Sequence, residues 1–348
     1  MPDPPVHNGS GARLEELRPS SRWVAGPCVR VARLLNRSFP KSYAVLSSSP
    51  RLFQAYRSLR FLEKSAACHR LSRLSFNERR ASNTVFIFGT GASLNEYPDE
   101  WWDVVRSHDS IGMNFFLLHE HVPTFHVMES VHGIRRQLLE ARYVERGDYQ
   151  DVPLIVKTQL SNLSSSRVDA RIKDLMSLRP EVLTNAYLPI DLLVAGKNTR
   201  DVEASYRLSA RLGLWTPKDR FLILTKRRGS VAYLLNFAVR AGYRRIVLCG
   251  VDLNHTEYFY DSRRQELESA GLPVPINTEP GEVHSTNDPA KHPVTMHHVI
   301  LAIKRVILDP AGIELMVGAE SSALHPDLSR FDWERELDVS NQRPRGSA

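Results

Sequence analysis

The sequence predicts an α/β protein built on a mostly parallel sheet, and three observations carry that prediction. Short apolar segments rich in β-branched residues recur between residues 84 and 318. Helical segments separate them, which is the alternation expected of a parallel sheet covered on both faces. Polar and small residues follow several apolar segments, as at the edge where such sheets bind ligands. The 348 residues suffice for one large domain with an extension.

The strands are predicted at seven apolar segments. The first is TVFIF at 84–88, which stops at a glycine. The others are SIGMNFF (110–116), TFHVMES (124–130), VPLIVKT (152–158), FLILT (221–225), RIVLCGVDL (245–253) and IELMVG (313–318). The helices between them include EYPDEWWDVVRS (96–107), SVAYLLNFAVRAG (230–242) and HHVILAIKRVIL (297–308).

The first 80 residues carry the basic character of the chain. They hold 15 Lys and Arg against 5 Asp and Glu, whereas the remainder holds 31 against 34. The start of the chain is rich in Pro, Gly and Ser, which is typical of disorder. Apolar residues at helical spacing, with Arg between them, follow it. We predict a disordered N-terminus (1–21), a basic helical extension (22–80), a main domain (81–330) and a C-terminal tail (331–348).

The basic extension suits two roles, packing on the main domain or docking on an anionic lipid surface. Nucleic acid is not an expected partner. No run of 18 apolar residues predicts a spanning helix, and the N-terminus does not resemble a signal peptide. Three sparse cysteines indicate free thiols in a reducing compartment. We expect a cytoplasmic protein, peripheral on the inner membrane if the extension binds lipid.

Polar and small residues at the strand ends are the candidate ligand-binding residues. They are Gly89, Thr90, Gly91, Ala92, Ser93, Asn114, Glu129, Gly229, Ser230, Asp252, Leu253 and Asn254. The glycine turn after the first strand could offer main-chain N–H groups to a phosphate. Leu94 stands where the dinucleotide fingerprint needs its third glycine, so that fingerprint is absent. A tight turn with Ser93 capping the next helix explains the turn equally well.

The order of these motifs resembles the family-42 sialyltransferases. F-G-T-G-A-S-L at 88–94, followed by G-M-N-F-F at 112–116, is similar to the opening of those enzymes. The resemblance implies a GT-A-type variant of the Rossmann-like fold, with Asn114 holding the nucleotide. Thr90 stands where the family often has asparagine.

The second half of the chain extends the resemblance. K-R-R-G-S-V, then A-G-Y-R-R-I-V-L-C-G-V-D-L, then Y-F-Y-D at 258–261 follow the order of the family's motifs. On this resemblance, Arg227 and Ser230 bind substrate. Tyr258, with Tyr260 as the near alternative, contacts the leaving phosphate. Asn254 stands where the family has a second tyrosine.

H-S-T-N-D at 284–288 resembles the stretch that carries the family's catalytic histidine. The resemblance therefore implies His284 as general base, with His292 as the competing candidate. The segment IELMVGAESSAL is similar to the family's last strand and serine turn, which adds Ser321 and Ser322 to the donor-binding residues.

The resemblance implies an inverting glycosyltransferase that uses no cofactor. Its donor would be CMP-activated sialic acid or a related acidic keto-sugar (Kdo-like or pseudaminic-like), and its acceptor a glycan or glycolipid. The sequence has no Asp-x-Asp motif, which favours metal-independent stabilisation of the leaving CMP. Related enzymes are often oligomeric, so the resemblance is compatible with a homo-oligomer, but the sequence does not determine the oligomeric state. Two alternatives are a pterin diphosphokinase-like Mg/ATP enzyme and a non-enzymatic nucleotide-binding scaffold.

Overall fold

The structure is a computed structural model that describes residues 40–129, 134–163, 165–227, 229–269, 271, 274 and 283–342. Its strands are β1 (His69–Arg70), β2 (Thr84–Phe88), β3 (Asp109–Met113), β4 (Phe125–Glu129), β5 (Leu154–Lys157), β6 (Ala186–Leu188), β7 (Ile190–Leu193), β8 (Ile223–Lys226), β9 (Arg245–Cys249) and β10 (Glu314–Val317). Eight of them form one sheet in the order β1-β6-β5-β4-β3-β2-β9-β10. Every neighbouring pair in this sheet is parallel. The predicted α/β class with a mostly parallel, Rossmann-like sheet is confirmed.

Strands β7 and β8 form a separate two-stranded parallel sheet. This corrects the expectation that the FLILT segment belongs to the main sheet, and β7 itself was not predicted. Pro189 stands between β6 and β7. Proline has no N–H to donate to a ladder, so the chain leaves the main sheet at this residue.

Helices cover both faces of the main sheet. They are α1 (Pro40–Ser65), α2 (Asp99–Arg106), α3 (Ile134–Glu145), α4 (Ser165–Met176), α5 (Pro180–Thr184), α6 (Thr199–Arg211), α7 (Val231–Ala241), α8 (Arg264–Ser269), α9 (Met296–Ile303) and α10 (Trp333–Gln342). Strand β2 is buried throughout and alternates between two core clusters. Phe86 and Phe88 belong to one cluster, whereas Val85 and Ile87 belong to the other. This alternation is expected of a central strand in a three-layer α/β fold.

Part of the basic extension is built into this fold. Leu59 and Leu62 on α1 lie in one core cluster, and Leu71 and Phe76 lie in the other. Strand β1 adds the edge strand next to β6. The predictions for residues 1–39, including the disordered N-terminus, lie outside the described residues. Among the described residues, the helices lack the combination of length and continuous hydrophobicity that a membrane-spanning segment needs.

The predicted C-terminal tail begins with an ordered helix. Trp333, the first residue of α10, is 0% exposed. Its ring stacks on Trp101 at 4.5 Å and on Phe86 at 5.5 Å, and its Nε1 donates to Gly318 O at 2.8 Å. Helix α10 therefore packs on the core cluster that contains Phe86 of β2.

Candidate functional site

The order of strands reverses between β2 and β9. Strands β3 to β6 extend to one side of β2, whereas β9 and β10 lie on the other. In open parallel sheets, the loops that leave the carboxyl ends of two such strands diverge and form a ligand-binding crevice. The predicted residues 89–93 follow β2, and 252–254 follow β9. Both segments therefore lie at the switch point of the sheet.

Strained backbone marks the same edge. Asn114, Gln159 and Leu253 have φ angles of 49°, 58° and 65°. They lie beyond the carboxyl ends of β3, β5 and β9. A left-handed conformation costs a non-glycine residue about 1–2 kcal/mol, so it persists only where surrounding contacts impose it. Strain of this kind concentrates at functional sites, which supports placing the site here.

The glycine turn after β2 is held by the loop after β9. The Gly91 amide donates to Gly250 O at 2.8 Å, and a Cβ on Gly91 would lie 2.2 Å from Asp252 Oδ2. The Asp252 carboxylate accepts from the Ser93 amide at 3.0 Å and from Ser93 Oγ at 2.5 Å. Asp252 is 4% exposed. Its hydrogen bonds to Ser93 therefore hold the conformation of the turn.

Fewer main-chain N–H groups of this turn are available to a ligand than the sequence suggested. Residues 92–96 form a 3₁₀ turn rather than the start of an α-helix, and the Ser93 amide is already bound to Asp252. Gly91 and Tyr258 form an isolated antiparallel bridge, which directs the Ala92 amide towards Glu257 O. Within the described residues, the Thr90 amide makes no main-chain hydrogen bond, so it is the donor of this turn that remains for an anionic ligand.

The two predicted tyrosines pack on this turn. The Phe259 amide donates to Thr90 O at 2.9 Å, and the rings of Tyr258 and Tyr260 stack at 5.2 Å. Tyr260 is 2% exposed and Tyr258 is half-buried, so a ligand can reach Tyr258 more readily. Burial raises the pKa of Tyr258, so its hydroxyl keeps its proton and can donate a hydrogen bond at neutral pH.

A cleft of about 400 Å³ opens beside the glycine turn. The residues that line it are Ala92, Asn95, Glu257, Tyr258, Asp261, Ser262 and Arg264. The cleft thus places the accessible tyrosine at an opening beside the glycine turn.

Asn114 supports the neighbouring strand end. Its Oδ1 accepts from the Glu129 amide at 2.8 Å, and its carbonyl oxygen accepts from His126 Nε2 at 3.1 Å. Burial lowers the pKa of His126 to about 3, so this ring stays neutral. If Asn114 binds the nucleotide as predicted, its Nδ2 group is the part that can do so.

A buried lysine brings Glu129 and Ser230 together. Lys157 is 1% exposed, and its Nζ donates to Ser230 Oγ at 2.9 Å and to Glu129 Oε1 at 3.3 Å. Gln159 Nε2 also donates to Glu129 Oε1, at 3.4 Å. Sequence reasoning missed Lys157, although a charged residue that closes the apolar run LIVK at a strand end could have indicated it.

Two further charged residues adjoin this cluster. Asp191 on β7 is 0% exposed, and its Oδ2 accepts from the Gln159 amide at 2.5 Å. Burial raises the pKa of Asp191 and lowers the pKa of Lys226 on β8. Asp191 lies in a strand that was not predicted. Lys226 follows a predicted strand, but the sequence analysis gave it no role in the site.

Arg227 is bound to the main chain. Its Nη1 donates to Val194 O at 2.9 Å and its Nη2 to Gly196 O at 2.8 Å, and the residue is 6% exposed. These contacts fix the segment after β7 and favour a positioning role. Direct substrate binding by Arg227 stays a prediction.

The His284 turn joins two strand-end loops. Asn287 Nδ2 donates to Leu253 O at 3.3 Å, and a Cβ on Gly229 would lie 3.6 Å from Thr286 Cγ2. His284 Nδ1 lies 2.9 Å from Thr286 Oγ1. Burial lowers the pKa of His284, which keeps the ring neutral at pH 7.

His292 lies further along the chain. Its amide donates to Asp288 O at 2.9 Å, towards helix α9. Asn287 therefore connects the His284 turn to the switch-point loop. The choice between the two predicted bases stays a prediction.

The predicted serine turn is tied to the loop after β9. Ser322 Oγ donates to Val251 O at 2.8 Å, and Asn254 Nδ2 donates to Ser321 O at 2.9 Å. Ser321 Oγ also donates to Glu96 Oε2 at 3.0 Å. All three predicted residues thus lie at the switch point, in contacts that hold its loops together.

The carboxylates at the strand ends do not converge on one point. Asp252 is bound by Ser93, and Glu129 is bound by Lys157 and Gln159. In the described part of the chain, no three His, Cys, Asp or Glu side chains form a group that could hold a metal. A magnesium site of a diphosphokinase therefore finds no support among these residues.

Comparisons with known proteins give little further guidance. No family model matches the chain, and no curated protein matches it. One similar solved structure is that of the sialyltransferase CST-II in complex with a trisaccharide acceptor and CMP. The match has a TM-score of 0.39 and 14% identity, and it covers 71% of this chain and 85% of that chain. A likeness this low does not identify a function.

Proposed function

We propose that this chain is a glycosyltransferase that moves an acidic keto-sugar from a CMP-sugar to a glycan or glycolipid acceptor. The observation that carries the proposal is the His284 turn, which Asn287 joins to Leu253 at the switch point of the sheet. A neutral histidine, an accessible tyrosine and the Thr90 amide then lie along one edge of a Rossmann-like sheet. The donor class rests on the resemblance of the motifs to the family-42 sialyltransferases.

The chemistry is a single displacement. His284 takes the proton of the acceptor hydroxyl, which attacks the anomeric carbon on the face opposite CMP. The bond from that carbon to the phosphate oxygen breaks, and the configuration inverts. Negative charge grows on the leaving phosphate, where the Tyr258 hydroxyl and the Thr90 amide can donate hydrogen bonds. No metal is assigned to this step, because the sequence has no Asp-x-Asp motif.

The first experiment measures thermal stabilisation by CMP, UMP, GDP, ATP and NAD, with EDTA present. A ligand that binds only the folded state raises the Tm by mass action. We expect a shift with CMP that EDTA does not change. A shift with ATP that needs magnesium would replace the proposal with the diphosphokinase alternative, and no shift with any nucleotide would favour the scaffold.

Turnover separates the two histidines. We expect His284→Gln to lose transfer by roughly 10²- to 10⁴-fold, the usual contribution of a general base, and to keep the CMP shift. His292→Gln is the matched control and keeps transfer. If His292→Gln loses transfer and His284→Gln does not, the assignment of the base is reversed.

An anionic membrane surface is part of the same proposal. Phe53, Arg57, Arg60 and Lys64 recur at helical spacing on the outward face of α1, and Phe53 is 64% exposed. Basic residues around an exposed ring are the pattern of a helix that lies on anionic lipid. Helix α1 packs on the turn at 160–162, next to Gln159 at the strand ends. A lipid-linked acceptor would then be presented close to the site.

A further inference from the structure

The cleft beside the glycine turn is lined by more negative than positive charge. Glu257 and Asp261 contribute carboxylates to its lining, and Arg264 contributes a guanidinium group. Arg264 is paired with Asp261 at 2.9 Å and with Glu268 at 3.5 Å. The Glu257 side chain is exposed and has no cationic partner among the described residues. Because like charges repel, the cleft suits a part of a ligand that is uncharged and carries hydrogen-bond donors.

Asn95 presents a fixed acceptor to the same cleft. Its Nδ2 donates to Phe259 O at 3.1 Å and to Ser262 Oγ at 3.2 Å. A main-chain carbonyl can only accept, so the amide nitrogen must face Phe259 and the amide oxygen must face away from it. Turning the amide over would break both hydrogen bonds. Asn95 therefore offers a ligand its Oδ1 and not an N–H group.

The main chain places Glu257 next to the predicted phosphate contacts. Glu257 precedes Tyr258, which is bridged to Gly91 of the glycine turn. Tyr258 lines the cleft as well, and its hydroxyl is the group proposed to contact the leaving phosphate. A nucleotide whose phosphate contacts Tyr258 and the Thr90 amide would thus have its nucleoside within reach of the cleft. The cleft volume of about 400 Å³ lies in the range of small-ligand pockets.

We propose that the cleft binds the nucleobase, and that the Glu257 carboxylate and Asn95 Oδ1 accept hydrogen bonds from an exocyclic amino group of that base. Cytosine and adenine carry such a group, whereas uracil presents a carbonyl oxygen at the same edge. Two acceptors that face this oxygen would repel it. This inference rests on the proposed function for the place of the phosphate, and it adds the residues that choose cytosine over uracil.

The first test compares two nucleotides on the full chain. The dissociation constants of CMP and UMP are measured by titration calorimetry for wild type, Glu257→Gln and Glu266→Gln. Glu266 is exposed and pairs with Arg263 outside the cleft, so its variant removes the same charge and is the matched control. We expect wild type and the control to bind CMP about 10- to 100-fold more tightly than UMP, the range of a good base contact. Glu257→Gln should lose most of this preference, because its amide can donate to uracil.

The second test removes the amino group from the ligand instead. The pyrimidinone ribonucleotide is CMP without that group. We expect its affinity for wild type to be about 10-fold or more below that of CMP, and this difference to disappear in Glu257→Gln, since both changes remove the same interaction. Equal binding of CMP and UMP by wild type, or an unchanged preference in Glu257→Gln, would overturn the contact. An equal loss of both nucleotides in Glu257→Gln would overturn it too, because the carboxylate would then bind the ribose.

AMP separates this inference from the proposed function. A wild type that binds AMP rather than CMP, with an affinity that depends on Glu257, would contradict the CMP-sugar donor and leave the amino-group contact standing. A wild type that prefers CMP and transfers its sugar, with no dependence on Glu257, would overturn the contact and leave the transferase standing. Binding of none of these nucleotides would overturn both.

Discussion

At His284, the position of one proton decides whether the ring can act as a base. Nδ1 lies 2.9 Å from Thr286 Oγ1, and the Thr286 amide lies 3.4 Å from the same nitrogen. If Nδ1 donates to the hydroxyl, Nε2 carries a lone pair and can accept the proton of an acceptor sugar. If Nδ1 instead accepts from the amide, Nε2 holds the proton and the ring cannot serve as base. The Thr286 hydroxyl can donate to Nδ1 or accept from it, whereas the Thr286 amide can only donate, so the tautomer depends on which of these two contacts Nδ1 makes.

The pH dependence of transfer follows from the same residue. Burial lowers the pKa of His284 below its ordinary value of 6.5. A base must be unprotonated, so kcat/KM stays on its plateau at pH 7 and falls only as the pH drops through this lowered pKa. We expect Thr286→Val to reduce kcat by about 10-fold with the donor KM unchanged, since it removes one hydrogen bond that orients the His284 ring.

Ser285→Ala is the control for this prediction. Ser285 is exposed in the same turn, and its variant should keep the wild-type kcat and pH profile. A Thr286→Val enzyme with an unaltered kcat and acid limb would show that the Nδ1 contact has no part in the reaction.

Sequence reasoning reached some site residues and missed others for a physical reason. Asp252 and Ser93 follow recognisable strands, so their place at one edge could be predicted. Lys157 and Ser230 are 73 residues apart and meet only through the packing of α7 on the sheet. No local pattern contains such a contact.

Among the structural elements, the turn after β2 has the most demanding geometry. A Cβ at Gly91 would lie 2.2 Å from Asp252 Oδ2 and 2.9 Å from Gly250 O. One of these groups must move to make room, and both belong to the loop that holds the turn. We expect Gly91→Ala to lower the free energy of unfolding by about 1–3 kcal/mol, as overpacking does.

Urea denaturation checks this value. Gly147→Ala is the matched control, because no atom lies within 4 Å of its added Cβ. The control should unfold within about 0.5 kcal/mol of wild type, as substitutions away from packed features do. If the two variants had the same free energy of unfolding, the turn after β2 would accommodate the added methyl group without loss of stability.

Element prediction succeeded where the apolar period was clear. The segment at 84–88 coincides with β2, and the helix expected at 230–242 is observed at Val231–Ala241. Strand β7 is four residues long and ends in the exposed Leu193. A four-residue segment that mixes apolar and charged residues shows no hydrophobic periodicity. The small sheet that β7 forms with β8 was therefore not predicted.

For the whole molecule, the basic surface of α1 and the sheet edge lie close together. Deleting residues 1–80 would be a poor test of membrane docking, because Leu59, Leu71 and Phe76 would leave the core. Surface variants avoid this problem. We expect Phe53→Ser combined with Arg60→Gln to weaken flotation with anionic liposomes, since it removes the exposed ring and one charge.

Leu212→Ser combined with Arg211→Gln provides the control. These residues are also exposed, and they lie at the end of α6 in the opposite core layer. The control pair should float like wild type, and neutral liposomes should bind all three proteins weakly. Equal flotation of the Phe53 variant and wild type on anionic liposomes would refute docking through α1.

The contact between the loops after β2 and β9 has a consequence for how this protein would change over time. A Cβ on Gly89 would lie 2.2 Å from Gly250 O, just as one on Gly91 would meet Asp252. Both glycines are therefore required by the backbone itself, whatever ligand the edge binds. A descendant of this chain that had lost its substrate would keep them, whereas His284 would be free to change. Retention of the histidine, and not of the glycines, would identify the descendants that still catalyse transfer.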